Sequence, residues 1–362
     1  MTTMVTMTTT RTTMTTALHA SPAGLWRLAW RRLRADRLAM AALAVVAGWL
    51  VLVALSAAGL VAAGWEREVG VSHAPPSFLG TPAPGAAPAA MPGPPARANP
   101  FDPLAAEIAA LRAGLAASPE PAHGAGAGAG EEGGRRATLP FGADKWGHDI
   151  VQKTIKGAET SIVVGLVAAF VAVGLGTLCG ALAGYCGGIV DDLFEWLYSV
   201  FTAIPAILMI LTVAAVLQTR GVATIVLILG LTGWTGPYRL IRAEYLRHKA
   251  REYVLAAEAI GASAWRKMFA HIFPNVSHVA LVQVSILVVG FIKAEVILSF
   301  LGFGVPAGVV SWGSMLNEAQ NELLLGKWWQ LTAAAAAMAV LVTAFSLLAD
   351  ALRDALDPRV KG

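Results

Sequence analysis

The chain has 362 residues, of which 56% are hydrophobic and 14% charged, and its mean hydropathy is +0.62. Soluble domains carry about a quarter charged residues, so a soluble globular fold is excluded and an all-α polytopic membrane protein is indicated. The formal net charge of +4 is then explained by Lys and Arg kept in cytoplasmic loops rather than by a nucleic-acid surface.

The first sixteen residues, MTTMVTMTTTRTTMTT, have no apolar core. They predict a disordered cytoplasmic tail (1–24) rather than a signal peptide. A spanning helix needs roughly 20 apolar residues. Six segments qualify, at about 38–64, 161–185, 196–217, 221–238, 276–297 and 329–349, with a short YCGGIVDD turn between the second and third. Arg27, Arg31, Arg32, Arg34 and Arg37 crowd the start of the first segment, which puts that end in the cytoplasm by the positive-inside rule. Counting forward, the basic loop after the fourth segment falls inside, as do Arg353, Arg359 and Lys361 at the end of the chain. Cys179 and Cys186 share one helix face and are read as small packing residues.

The expected organisation is the tail, a segment with the first transmembrane helix (25–68), an extracytoplasmic low-complexity insert (69–140), a transmembrane domain (141–350) and a cytoplasmic C-terminal tail (351–362). Residues 74–99 are Pro/Ala/Gly-rich and 124–130 read GAGAGAG, too little apolar mass to fold alone. Between them Leu104, Ile108, Leu111 and Leu115 recur at helical spacing and predict a short amphipathic helix.

The cytoplasmic loop (241–275) is the most informative stretch. From Glu244 to Asn275 it carries five Lys/Arg and five aromatics. Residues 251–260 favour a helix, Gly261 suits a C-terminal cap or bend, and Ser263 can cap the next helix. Pro274 interrupts helical hydrogen bonding before the fifth span. The product is a helix-bend-helix knob. Tyr253, Trp265 and Phe269 are anchors of the kind that dominate interfaces, and small alanines allow close approach to a groove. From the residues alone, a basic segment lying on lipid headgroups stays open.

This loop resembles the EAA loop of bacterial ABC-importer permeases, whose pattern is E-A-A, three residues, Gly, nine residues, I-x-L-P. Ala256, Ala257, Gly261 and Pro274 fall at the matching spacings, while Leu255, His271 and Phe273 replace Glu, Ile and Leu. Three further stretches resemble the C-type permeases of the dipeptide, oligopeptide and nickel importers. FGADKWGHDIVQKTIKGAETS (141–161) is similar to their LGTDxxGRDxxxRxxxGxRxS, with Ala143, His148 and Glu159 as the main departures. AEVILSFLGFGVP (294–306) with SWGSML (311–316), and ALRDALDPR (351–359), are similar to their later motifs.

The resemblance implies a type I importer transmembrane domain of six helices in the cytoplasmic membrane, with both termini in the cytoplasm. The chain would be a non-catalytic half of a heterodimer with a second permease. It would work with two cytoplasmic ATPases, which hold the ATP and magnesium, and with an extracytoplasmic solute-binding protein. The substrate class would be peptides, with nickel or another small solute as the alternative. The ATPase-coupling residues would be Tyr253, Ala256, Ala257, Glu258, Gly261, Ala262 and Pro274. Because Leu255 replaces the Glu, docking is expected to rest on Ala256, Ala257 and Gly261 rather than on an acidic anchor.

Other signals are weaker. Lys293 and Glu295 lie near the outer end of the fifth span and are candidates for the pathway or an outer gate; contact with headgroups or a partner subunit is the alternative. Asp144, His148 and Asp149 suit a capped turn better than a metal site. Asp350, Arg353, Asp354 and Asp357 are expected to pair locally. Gly326-Lys327 lacks the flanking Gly and Ser/Thr of a phosphate loop, so any ATPase is a separate chain. A solitary ion-coupled transporter would show repeated halves, and none is visible.

Overall fold

The computed structural model describes residues 25–80, 135–219, 221–306 and 308–356. The amphipathic helix expected at Leu104 to Leu115, the Gly/Ala run and Asp357, Arg359 and Lys361 lie outside them. The described residues form helices α1 (Leu25–Ala35), α2 (Arg37–Ala57), α3 (Ile150–Cys186), α4 (Gly188–Ala203), α5 (Ala206–Leu217), α6 (Val222–Thr232), α7 (Thr235–Lys249), α8 (Glu252–Ala259), α9 (Ala264–Phe300), α10 (Trp312–Leu324) and α11 (Trp329–Leu356).

Four of these, α2, α3, α9 and α11, are each long and apolar enough to cross a membrane. The bent pair α4–α5 meets the same length and composition test as one unit, a broken span or a re-entrant loop. α6 is a shorter apolar helix that continues after Gly233 and Trp234 into α7, in keeping with six apolar segments.

Several boundaries differ from the sequence expectation for physical reasons. α3 begins at Ile150, not near 161, because Asp149 caps it by accepting from the Val151 N–H at 2.8 Å and no breaker follows. Its 37 residues are about 55 Å long at 1.5 Å per residue, so a polar first third extends beyond the roughly 30 Å apolar layer. The turn expected between spans two and three shrinks to Gly187, and the IVDD residues already belong to α4. The third span is broken at Ile204 and Pro205, where α4 and α5 meet at 89°. α7 carries helix on to Lys249, well into the segment expected as loop, and α11 runs through residues 351–356.

Pro274 does not interrupt the chain either. A π-helical turn at Lys267–Ile272 precedes it, and the Phe273 N–H reaches back five residues to the Met268 carbonyl. The wider turn absorbs the missing proline donor. The Asn275 side chain donates to the His271 carbonyl at 2.8 Å.

α3 is the axis of the bundle. Val164, Ala168, Ala169 and Ala172 bury against α6, α9 and α11 in the main core. Its tightest neighbour is α7. Gly176, Gly180 and Gly184 form a stripe at every fourth residue, and a Cβ at these positions would lie 2.5 Å from the Trp234 carbonyl oxygen, 2.7 Å from that of Tyr238 and 2.7 Å from that of Arg242. Small-residue stripes of this kind let membrane helices approach backbone to backbone. At the N-terminal end of α3, residues 65–80 and 135–149 clasp each other through isolated bridges, including Gly70 with Arg136 and Glu68 with His148. The Trp329 indole anchors this clasp to α11 by donating to the Ala143 carbonyl at 2.7 Å. α8 sits at the opposite end of the bundle.

Gly180→Leu will separate α3 from α7, since backbone cannot yield as a side chain tip can. A loss of at least about 3 kcal/mol is expected, the upper range for overpacking, read as a lowered unfolding midpoint in detergent. Gly174→Leu, where a Cβ would meet nothing within 4 Å, is the control and will leave the midpoint unchanged.

Candidate functional site: the α8 knob and the outer ionic centre

α8 follows the sequence expectation closely. Arg251 and Ile260 flank it as caps. The Gly261 N–H donates to the Glu258 carbonyl at 2.9 Å and the Ala262 N–H to the Ala257 carbonyl at 3.0 Å. These paired bonds close a helix over a left-handed residue, and Gly261 has φ +79°. Ser263 then caps the next turn by accepting from the Arg266 N–H at 3.4 Å.

The inner face of the knob is a small core. Val254, Met268, Ile272 and Val276 bury against Ala181, Ile241 and Tyr245 of α3 and α7. The Tyr245 hydroxyl donates to the Met268 carbonyl at 3.2 Å. Lys267 reaches Glu258 at 3.4 Å, and Lys249 donates to the Tyr185 carbonyl at 2.6 Å. Both ammonium groups lie over the Tyr185 ring, so the last turn of α3 is gripped from two sides.

The outer face carries large exposed apolar side chains among the exposed charges of Glu252, Glu258 and Arg266. Leu255 is 54% exposed, Ile260 84% and Trp265 62%. Trp265 stacks on Phe269 with ring centroids 5.3 Å apart. Ala256, Glu258, Gly261 and Pro274 are exposed and Ala262 is half-buried. Tyr253 is partly exposed, and its hydroxyl lies 2.8 Å from His248 Nδ1. Ala257 differs from expectation. It is only 4% exposed because the helix turns it, with Val254, toward the bundle. The sequence expectation counts Ala257 among the coupling residues; in the structure it faces the bundle, while Leu255 and the capping residue Ile260 are exposed.

The candidate gate residues part company. Glu295 is fully buried, and its two oxygens accept from Ser161 Oγ at 2.6 Å and Ser299 Oγ at 2.7 Å. The Trp312 N–H donates onto the same Ser161 hydroxyl at 3.3 Å. Glu295 therefore cross-braces α3, α9 and α10. Lys293 is exposed on another face of α9.

Beyond Glu295 lies an ionic centre that sequence spacing did not announce. Lys153 donates to Asp144 and Glu318, each at 2.6 Å. Asp144 also accepts from the backbone N–H groups of Trp146 and His148, both at 2.9 Å, and its other oxygen faces His148 Nδ1 at 2.9 Å. Burial pushes the Asp144 carboxyl up, but the Lys153 ammonium and these donors outweigh it and hold it below the usual carboxylate range. Glu322, one turn beyond Glu318, is 2% exposed. One oxygen accepts from the Lys145 N–H at 3.1 Å and the other has no partner among the described residues. Burial, with Asp144 and Glu318 nearby, raises its pKa to about 7.

Two outcomes follow. Glu322 is raised in the folded protein, so folding favours its protonated form. Its contribution is full below the ordinary value of 4.5 and is lost as pH rises through about 7. That loss is on the order of 3 kcal/mol at most. Glu322→Gln will flatten the midpoint-versus-pH curve between pH 5 and 8 and leave it more stable than the parent at pH 8. Gly261→Pro cannot reach a positive φ. At an exposed site with nothing within 4 Å, it will speed amide exchange at residues 252–262, by a local cost of about 1–3 kcal/mol, without moving the global midpoint.

Residues 176–362 match the family described as binding-protein-dependent transport system inner membrane component. Residues 24–76 match the N-terminal TM domain of oligopeptide transport permease C. The dipeptide transport system permease protein DppC of Bacillus subtilis is 37% identical over 221 residues, 61% of this chain and 69% of that protein. The oligopeptide transport system permease protein OppC of the same organism is 36% identical, over 61% of this chain and 72% of its own length. OppC of Haemophilus influenzae is 32% identical, over 60% and 70%. The chain belongs to the family of binding-protein-dependent transport system inner membrane components.

Proposed function

We propose that the chain is the permease subunit of an ATP-driven peptide importer and that α8 with its flanking turn is the surface on which a separate ATPase docks. The observation that carries the reading is the set of exposed apolar side chains Leu255, Ile260, Trp265 and Phe269 on a knob whose other face is locked to α3 and α7. A rigid knob transmits displacement, whereas a loosely tethered loop would absorb it. Exposed apolar anchors on a polar end of a bundle suit a groove on another protein.

The substrate class follows the relatives, which are named for dipeptide and oligopeptide transport. In this reading the chain is half of a pathway completed by a second permease, with a solute-binding protein at the clasp end and two ATPases at the α8 end. ATP and magnesium reside on those ATPases, and this chain performs no hydrolysis. The α8 end and both termini face the cytoplasm, in keeping with the basic residues around α1 and α7. Ala256, Glu258, Gly261 and Ala262 shape the knob. Tyr253 and Pro274 set its edges, and Ala257 seats it. Glu295 braces the outer half of the bundle, and exposed Lys293 is available to the partner subunit.

In vesicles holding the complete complex, labelled dipeptide uptake will require ATP inside and the separate ATPase. Uptake driven by an ion gradient without the ATPase would overturn the reading. Ile260→Asp will weaken ATPase co-purification by about 2 kcal/mol, roughly thirtyfold in affinity, without lowering the unfolding midpoint, because Ile260 is exposed.

A further inference from the structure

α4 is an anomaly in the bundle. None of its residues is fully buried, yet it leads the chain from the axis helix into the bend at Pro205. Its cap Gly187 and first residue Gly188 have φ +69° and +55°, and a Cβ at either would meet nothing within 4 Å. The far end breaks at 89° into α5. A helix with an open left-handed glycine pair at one end and a proline break at the other is a lever hinged at both ends.

Its angle on the bundle is set by a short row of contacts with α7. The Arg242 guanidinium donates from Nε to Asp191 Oδ1 at 2.6 Å and from Nη2 to Oδ2 at 2.7 Å. Arg242 Nε also lies 3.4 Å from Glu195, which accepts from the Tyr238 hydroxyl at 3.0 Å. Above these, Tyr198 packs on Tyr238 and Phe201 on Trp234. The aromatic contacts tolerate sliding. The two-pronged Arg–Asp pair does not, because its planar fork fixes orientation as well as distance.

The same helix leads directly to α8. Two turns beyond Arg242, Lys249 holds the Tyr185 carbonyl, and Lys267, paired with Glu258 of α8, lies over the Tyr185 ring. Tyr185 stands two residues before the Gly187-Gly188 hinge. A displacement of α8 therefore bears on both sides of the lever: on its hinge through Tyr185, and on its body through α7 and Arg242.

We propose that Arg242 and Asp191 are positioning residues of the transport cycle, whose ion pair transmits displacement of α8 to the α4–α5 arm. This rests on α8 being the ATPase contact. In this proposal the pair is closed as described here in one state and opened by rotation about the glycine hinge in the other, the two-state element that such coupling requires.

The test uses the complete complex in vesicles, with Cys179 and Cys186 replaced and nitroxide labels at Trp196→Cys on the arm and Leu240→Cys on α7. Inter-label distance is measured with and without ATP. The parent will show an ATP-dependent shift. Asp191→Asn and Arg242→Gln will reduce its amplitude by at least about fivefold while the ATPase still co-purifies. Arg242→Lys will fall between, lacking the fork. The charge-exchanged double variant Asp191→Arg with Arg242→Asp will recover the shift, which separates a coupling role from a folding defect. A full shift in both single variants, or no shift in the parent, would sink the proposal. If Ile260→Asp leaves ATPase co-purification intact, it is the docking reading that fails, whatever the labels report.

Discussion

The close approach of α3 and α7 is the contact on which the rest of the molecule depends. Gly176, Gly180 and Gly184 let the α7 backbone lie against α3 with no side chain between. That approach brings Tyr238, Arg242, Tyr245 and Lys249 to fixed heights along the last third of α3. Each then does something different. Tyr238 and Arg242 hold α4, Tyr245 closes the core beneath α8, and Lys249 grips the end of α3 itself. Widening the crossing by one side chain would shift all four together. In an apolar solvent, where water gains nothing from burying Leu against Leu, such backbone packing is the main source of helix association.

The ion pairs of the bundle lie toward its two ends. Lys153 with Asp144 and Glu318 stands at the clasp end, beyond the apolar part of α3. Arg242 with Asp191 stands at the α8 end. Between them Glu295 is held by two serine hydroxyls rather than by a cation. A buried ion pair adds little net stability, but breaking it by removing one partner leaves a costly uncompensated charge. The buried Lys153–Asp144 pair therefore specifies geometry more than it strengthens the fold. Glu159 shows the same logic at a position where the resembled motif has Arg. It accepts from Ser56 of α2 and from Lys156, so a reversed charge still ties the first span to α3.

The parts legible in the sequence were those governed by local rules. Six spans follow from apolar length, and the α8 knob follows from a helix-favouring run, Gly261 and Ser263 in the right order. Helix ends were less legible wherever the chain stayed helical past its apolar stretch, as at residues 150–160 and 239–249, because hydropathy reports the solvent and not the hydrogen bonding. Pro274 misled because a π-turn can absorb a missing donor. The ionic contacts were illegible for a different reason. Arg242 and Asp191 are 51 residues apart and Lys153 and Glu318 are 165 apart, so no spacing along the chain announces them. The glycine stripe was present in the sequence as a four-residue period, but its meaning depends on which helix faces it.

The replacement of the motif's acidic residue by Leu255 acquires a physical sense from the burial pattern. Val254 and Ala257 point inward, so the helical period turns Leu255 outward. A carboxylate there would have to be desolvated on docking, at a cost recovered only if a partner cation met it with good geometry. A leucine gives up water favourably, by roughly 25 cal/mol for each Å² covered. Glu258, one turn along, is exposed and pairs with Lys267 at 3.4 Å. In the proposed docking, recognition at this end rests on shape more than on charge, while Lys267 with Glu258 and Lys249 with Tyr185 tie α8 and α7 to the end of α3.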